Sequence, residues 1–87
     1  MHRLLAALIT ITLSWQLAPE QTQRQEVYRQ INCTGAWVRR ATVSNTTVEW
    51  TDVTTKPGMT YCYYVDAVTR DGKSGPSNIV SVTVPLP

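Results

Sequence analysis

"WTDVTTKPGMTYCYYVDAVTRDGKSGPSNIVSVTVP", residues 50–85, carries the most specific pattern in the chain. From Tyr61 the residues alternate, so that Tyr61, Tyr63, Val65 and Ala67 fall on one side of an extended strand and Tyr64 on the other. Val80, Val82 and Val84 repeat the same period and can face the first set from a neighbouring strand. Between the two runs, "RDGKSGPS" reads as a turn, with Asp71-Gly72 supplying the positive φ of a tight hairpin. "KPG" marks a second turn just before the first run. The stretch predicts paired strands with a common core face.

Working outward, the rest of the chain continues in the same style. After residue 20 no window repeats apolar residues at helical spacing, while Val, Thr, Ile, Tyr and Trp dominate. The expected strands are Ile9–Leu17, Arg24–Ile31, Trp37–Ala41, Thr47–Thr51, Thr60–Thr69 and Asn78–Val84, six in all, which predicts an all-β sandwich. "ITITLSWQL" needs care, because behind "MHRLLAAL" it has two readings. As a strand, Ile9, Ile11, Leu13 and Trp15 alternate with Thr10, Thr12 and Ser14, a pattern that a signal core does not need. As the core of a signal peptide over residues 1–18, it would be cut after "QLA", with Gln where a small residue is wanted and Pro just beyond. Periodicity favours the retained strand.

Residues 50–85 resemble strands E, F and G of a fibronectin type III domain of the kind found in bacterial extracellular proteins. The matching elements are "TD", "PG-x-T-Y", "Y-x-V-x-A-V", "DG" and "SN-x-V-x-V-x-V-P". "QEVYRQ" is similar to strand C and "ITLSW" to strand B, with Trp15 implied in the core beneath both sheets. The sequence departs from the family at Gln25, where an aromatic is usual, and at Thr55, where Leu or Val is usual. The resemblance implies an immunoglobulin-like sandwich of two antiparallel sheets over residues 9–85. Residues 1–8 would be a remnant of strand A or a frayed segment, and 86–87 a tail or the start of a linker. The family's strand A is then expected to be missing, leaving residues 9–15 as an edge for a strand-addition partner or a homodimer.

In the family's arrangement strands C and F are antiparallel neighbours, which places Cys33 and Cys62 side by side and implies a disulfide. Such a bond belongs to an oxidising compartment. The other reading is two reduced cysteines used as small apolar residues.

Composition limits what the chain can do. The 87 residues allow one small domain. A content of 43% hydrophobic and 16% charged residues is that of a globular chain rather than a disordered one. A net charge of +2, with six Arg and two Lys spread along the chain, gives no nucleic-acid surface. The apolar run from Leu4 to Trp15 is broken by Thr10, Thr12 and Ser14, so no membrane span is expected.

No catalytic residue, cofactor site or metal site is expected. His2 is the single histidine, the six carboxylates fall in no acid–base motif, and two Cys with one His do not make a zinc site at these spacings. Asn32-Cys-Thr and Asn45-Thr-Thr meet the N-glycosylation pattern, which matters only in a eukaryotic secretory pathway. Tyr28 and Tyr64 take the outward parity on their strands and Trp37 begins the next. These three are the candidate binding face, for a sugar or a protein partner, against the plainer reading of cross-strand packing. The function expected is a noncatalytic spacer or protein-interaction module of a secreted or cell-surface protein. The alternatives are a carbohydrate- or polymer-binding accessory domain of a secreted hydrolase, and a small secreted protein with residues 1–18 as signal peptide.

Overall fold

The computed structural model describes residues 10–16, 18 and 21–86. Seven strands follow in chain order: β1 (Ile11–Ser14), β2 (Thr22–Ile31), β3 (Val38–Ser44), β4 (Glu49–Asp52), β5 (Thr60–Thr69), β6 (Gly72–Pro76) and β7 (Val80–Thr83). They form two antiparallel sheets, the pair β1-β4 and a five-stranded sheet in the order β3-β2-β5-β6 with β7 also on β5. No helix is present among the described residues. The segment 1–8, Ile9 and Leu17 lie outside them, and so do the expectations about a remnant strand A.

The alternation read in "ITLS" holds: Ile11 and Leu13 are buried, Thr12 and Ser14 exposed. Across the pair, Ile11 faces Asp52 and Leu13 faces Trp50. The larger sheet supplies Val27 from β2 and Tyr61, Tyr63 and Val65 from β5, and these close the core with Val84. Full burial of each aliphatic chain contributes about 1.5–3 kcal/mol, so the core rests on a short list of side chains. Trp15, Trp50, Met59 and Val82 pack against its rim.

Five expectations need correction. The strands number seven rather than six, because part of the supposed turn "RDGKSGPS" is β6, paired to the second half of β5. The edge strand is thus split, with β7 pairing the first half. At the break, the Ser77 amide donates to the Val65 carbonyl at 2.7 Å and the Val65 amide donates to Ser77 Oγ at 2.9 Å, so a side chain stands in for the ladder. Val80, expected in the core, lies beside this break and is exposed. Trp15 is only partly buried: it lies just beyond β1, packs against the rim of the core and lines an open cleft there. Tyr64, expected exposed, is partly buried for the reason given below. The strand bounds shift as well: β3 runs on to Ser44 and β4 starts at Glu49.

Gln25, the departure from the family pattern, is nearly fully buried. Its carbonyl accepts from Trp15 Nε1 at 2.9 Å, and its amide donates to the Ser44 and Thr47 carbonyls at 2.9 and 2.7 Å. A polar residue is tolerated here because its amide group is bonded at both ends. One end joins β1 to the larger sheet, and the other holds the β3–β4 turn.

The "KPG" turn folds as read. Gly58 has φ +79°, a backbone conformation that calls for glycine. The Lys56 amide donates to Tyr61 Oη at 3.0 Å. This bond from the start of β5 back to the preceding turn is the tyrosine corner of immunoglobulin-like sandwiches.

Candidate functional site

β2 and β5 run antiparallel with Tyr28 directly opposite Tyr64. The two rings stack at 4.8 Å between centroids and 12° between planes. Trp37, in the loop entering β3, meets Tyr64 edge-on at 4.7 Å and 72°. The three expected residues therefore share one place on the outer face of the larger sheet. All three are partly buried, Tyr64 because Tyr28 and Trp37 cover it. Aromatic pairs of this kind contribute about 0.5–1.5 kcal/mol beyond area, so the cluster also has a structural role.

Beside the rings lies a charged group that the sequence does not announce. Glu26, two residues from Tyr28 on the same face, is buried. Arg24 Nε, Arg39 Nη1 and Lys73 Nζ approach its carboxylate at 3.5, 3.3 and 3.4 Å. Tyr28 Oη donates to Glu26 Oε1 at 2.8 Å and accepts from Lys73 Nζ at 2.6 Å. The Tyr28 hydroxyl first, with the cations, holds the Glu26 carboxyl below its ordinary range against the opposing effect of burial. The same contact with Tyr28 raises Lys73. Asp66 faces Glu26 across the strands and is also buried, with Lys73 Nζ at 3.7 Å from Oδ2. Its Oδ1 is buried with no hydrogen-bond partner among the described residues.

Arg39 comes to this face through a bulge. Val27 pairs Ala41 and Tyr28 pairs Arg39, leaving Arg40 as the extra residue of β3. The adjacent arginines are thereby separated, Arg39 outward to Glu26 and Arg40 to Thr54 on the other side. Sequence parity alone does not predict the slip.

On the inner face a second carboxylate has a different setting. Asp52 accepts from Arg29 Nη1 at 3.0 Å, Tyr63 Oη at 2.6 Å, and the Thr54 amide and hydroxyl at 2.9 and 2.6 Å. Burial pushes the carboxyl up, but these donors outweigh it and hold it at about 2. Burial, then the bond to Asp52, pushes the Tyr63 hydroxyl up. The Arg29 guanidinium also lies 5.0 Å from the Tyr61 ring centroid. These groups tie β4 of one sheet to β2 and β5 of the other.

Cys33 and Cys62 form a disulfide, with Cα atoms 5.0 Å apart. It ties the turn after β2 to the start of β5. Asn32 and Cys33 hold φ of 55° and 54°, a left-handed pair, and the Thr34 amide donates to the Ile31 carbonyl at 3.3 Å.

Among the described residues no cluster of three or more His, Cys, Asp or Glu could hold a metal ion. A cleft of about 650 Å³ opens beside β1, lined in part by Leu13, Trp15, Gln25, Tyr63, Pro76 and Val80. Among the described residues its lining carries no carboxylate, histidine or lysine.

No family model matches the chain, and none of the curated proteins matches it in sequence. Solved structures do match. The chain is similar to part of a pectate lyase of Erwinia chrysanthemi, solved in complex with tetragalacturonic acid, with a TM-score of 0.77 and 29% identity over 85% of this chain. It is similar to part of a pectate lyase of Pectobacterium carotovorum, with a TM-score of 0.74 and 30% identity over 95% of this chain. The match spans 25% and 26% of those two proteins, about a quarter of each. The twitchin kinase region of C. elegans, which includes fibronectin and immunoglobulin domains, matches at a TM-score of 0.72 and 18% identity, over 88% of this chain and 14% of that one. The fold is an immunoglobulin-like, fibronectin-like sandwich.

Proposed function

We propose that the chain is a noncatalytic fibronectin type III module, residues 9–85, of a secreted or cell-surface protein that acts on polysaccharide. The observation that carries this reading is the likeness, at 29% and 30% identity, to about a quarter of two bacterial pectate lyases. A unit of that size beside a larger remainder suits an accessory domain, and the likeness moves the carbohydrate reading ahead of the plain spacer. The Cys33–Cys62 disulfide supports an oxidising compartment outside the cytosol. Two of the described carboxylates, Asp52 and Glu26, support the noncatalytic assignment. Asp52 is held by four donors and Glu26 is ringed by three cations, which leaves neither placed as a general acid or base.

The aromatic cluster of Tyr28, Trp37 and Tyr64 is the contact surface in this reading, and the outer edge of β1 is the place for strand addition or a second copy. The test is a pair of assays on the purified chain. Retention on immobilised polysaccharide without release of reducing ends or unsaturated products is the expected outcome. Turnover of polysaccharide by the chain alone would sink the noncatalytic assignment, and absence of retention on every polymer would return the module to a spacer.

A further inference from the structure

Three cations and three aromatic rings on one face need a reason beyond covering a sheet. The carboxylates they serve are sunk beneath them: the Glu26 and Asp66 side chains are 4% and 5% exposed, against 48%, 58% and 50% for Arg24, Arg39 and Lys73. The negative charge of the group lies beneath and the positive charge outside. Counting Arg24, Arg39 and Lys73 against Glu26 and Asp66, three against two, the group also keeps a net positive charge.

The guanidinium donors are far from used up. Arg39 reaches Glu26 through Nη1 and Arg24 through Nε, so each fork has further N–H groups facing solvent. Next to them, one strand step along β2, stand Tyr28 and then Tyr64 and Trp37. Cations that bind carboxylates in pairs, beside aromatic rings that pack against a sugar's C–H faces, are the two halves of a site for an acidic sugar.

We infer that the outer face of the β3-β2-β5-β6 sheet binds a polyuronate, with Arg24 and Arg39, which converge on Glu26 Oε2, on a uronate carboxylate and Trp37 against the adjoining sugar ring. This rests on the polysaccharide reading above and names its ligand class. Neutral polysaccharides lack the charge that the exposed cations recognise. Sulfated polymers carry their charge on tetrahedral sulfate rather than on a planar carboxylate.

The test is affinity electrophoresis of the full chain in gels containing polygalacturonate, a neutral glucan or dextran sulfate. Retardation by polygalacturonate is expected, weakening as salt screens the exposed charges. In the Arg24→Gln/Arg39→Gln variant the affinity should fall by about tenfold or more, since charge-assisted bonds are the strong ones, while Arg70→Gln at the β5–β6 turn leaves it unchanged. Trp37→Ala should weaken binding to polygalacturonate without altering its salt dependence. Thermal unfolding of each variant separates loss of the site from loss of the fold. Equal retardation by the neutral glucan, insensitive to Arg24 and Arg39, would overturn the polyuronate assignment and leave the polysaccharide reading standing. Stronger retardation by dextran sulfate than by polygalacturonate would replace it with general polyanion binding. Retardation by none of the three would overturn both readings.

Discussion

Asp52 and Glu26 are both buried carboxylates met by arginine, yet they belong to different kinds of place. Around Asp52 the cation is itself inside: the Arg29 side chain is 11% exposed, and every donor comes from a strand or turn bordering the core. Around Glu26 the cations stand in solvent at about half exposure. The first arrangement spends its hydrogen bonds on joining two sheets and has none to offer a ligand. The second neutralises a buried charge with side chains whose outer donors stay free. Burial of the partner, rather than of the acid, separates a structural ion pair from a surface that can bind.

The largest effect expected from this contrast is on the inner side. Arg29→Met should destabilise the chain by about 3–5 kcal/mol, the usual consequence of leaving a buried charge without its partner. Urea denaturation reads it directly. A loss no larger than that of Arg39→Met would erase the distinction between the two places.

Next comes the disulfide, which belongs to neither place and sets the scale for both. The Cys33→Ala/Cys62→Ala variant should lose about 3–4 kcal/mol, because the bond closes a loop across a sequence separation of 29 residues. Calorimetry should show the lowered Tm. An unchanged Tm would mean that the turn after β2 is held without it.

Acid unfolding then compares the two carboxylates in one experiment. The fold lowers Asp52 from its ordinary 3.8 to about 2, so its contribution is present above about pH 4 and is lost as pH falls through about 2. The amount at stake is about 2 kcal/mol by linkage. Glu26 is lowered too, and its contribution has the same sign. Asp52→Asn should flatten the pH dependence of the urea midpoint more than Glu26→Gln does. The reverse order would mean that the outer cluster carries the acid sensitivity.

The smallest effect is expected outside. Arg39→Gln should change stability by less than about 1 kcal/mol, as exposed ion pairs do. Equilibrium unfolding at low and high salt checks it. A larger loss would make the outer cations structural and weaken their case as ligand donors.

Much of the fold was legible in the sequence, through side-chain period. "ITLS" and "TYCYYV" place Ile11, Leu13, Tyr61, Tyr63 and Val65 in the core as two-residue alternation requires. β6 was not legible, because "GKSGP" has none of the β-branched or aromatic residues that mark a strand and pairs through its backbone. Gln25 looked like a flaw, since a sequence shows the polarity of a residue but not the partners that meet it. Of the site, Tyr28, Trp37 and Tyr64 followed from parity and a strand boundary. The ring of cations did not. Arg24, Arg39 and Lys73 come from three separate strands, and Arg39 turns outward only because β3 carries one residue more than β2 at that point.

The split of the edge strand bears on how the module behaves when many copies or neighbours are close by. An unbroken outer strand offers a continuous row of amides and carbonyls on which another chain can extend a sheet. Here that row is cut at Ser77, and the two remaining pieces, five and four residues long, are short templates for intermolecular pairing. At the opposite edge, β3 carries the bulge and the Arg39-Arg40 pair, which discourage the same event by shape and charge. Both margins of the larger sheet thereby resist fibril-like stacking, so the domain can be held at high local concentration without its sheet recruiting another.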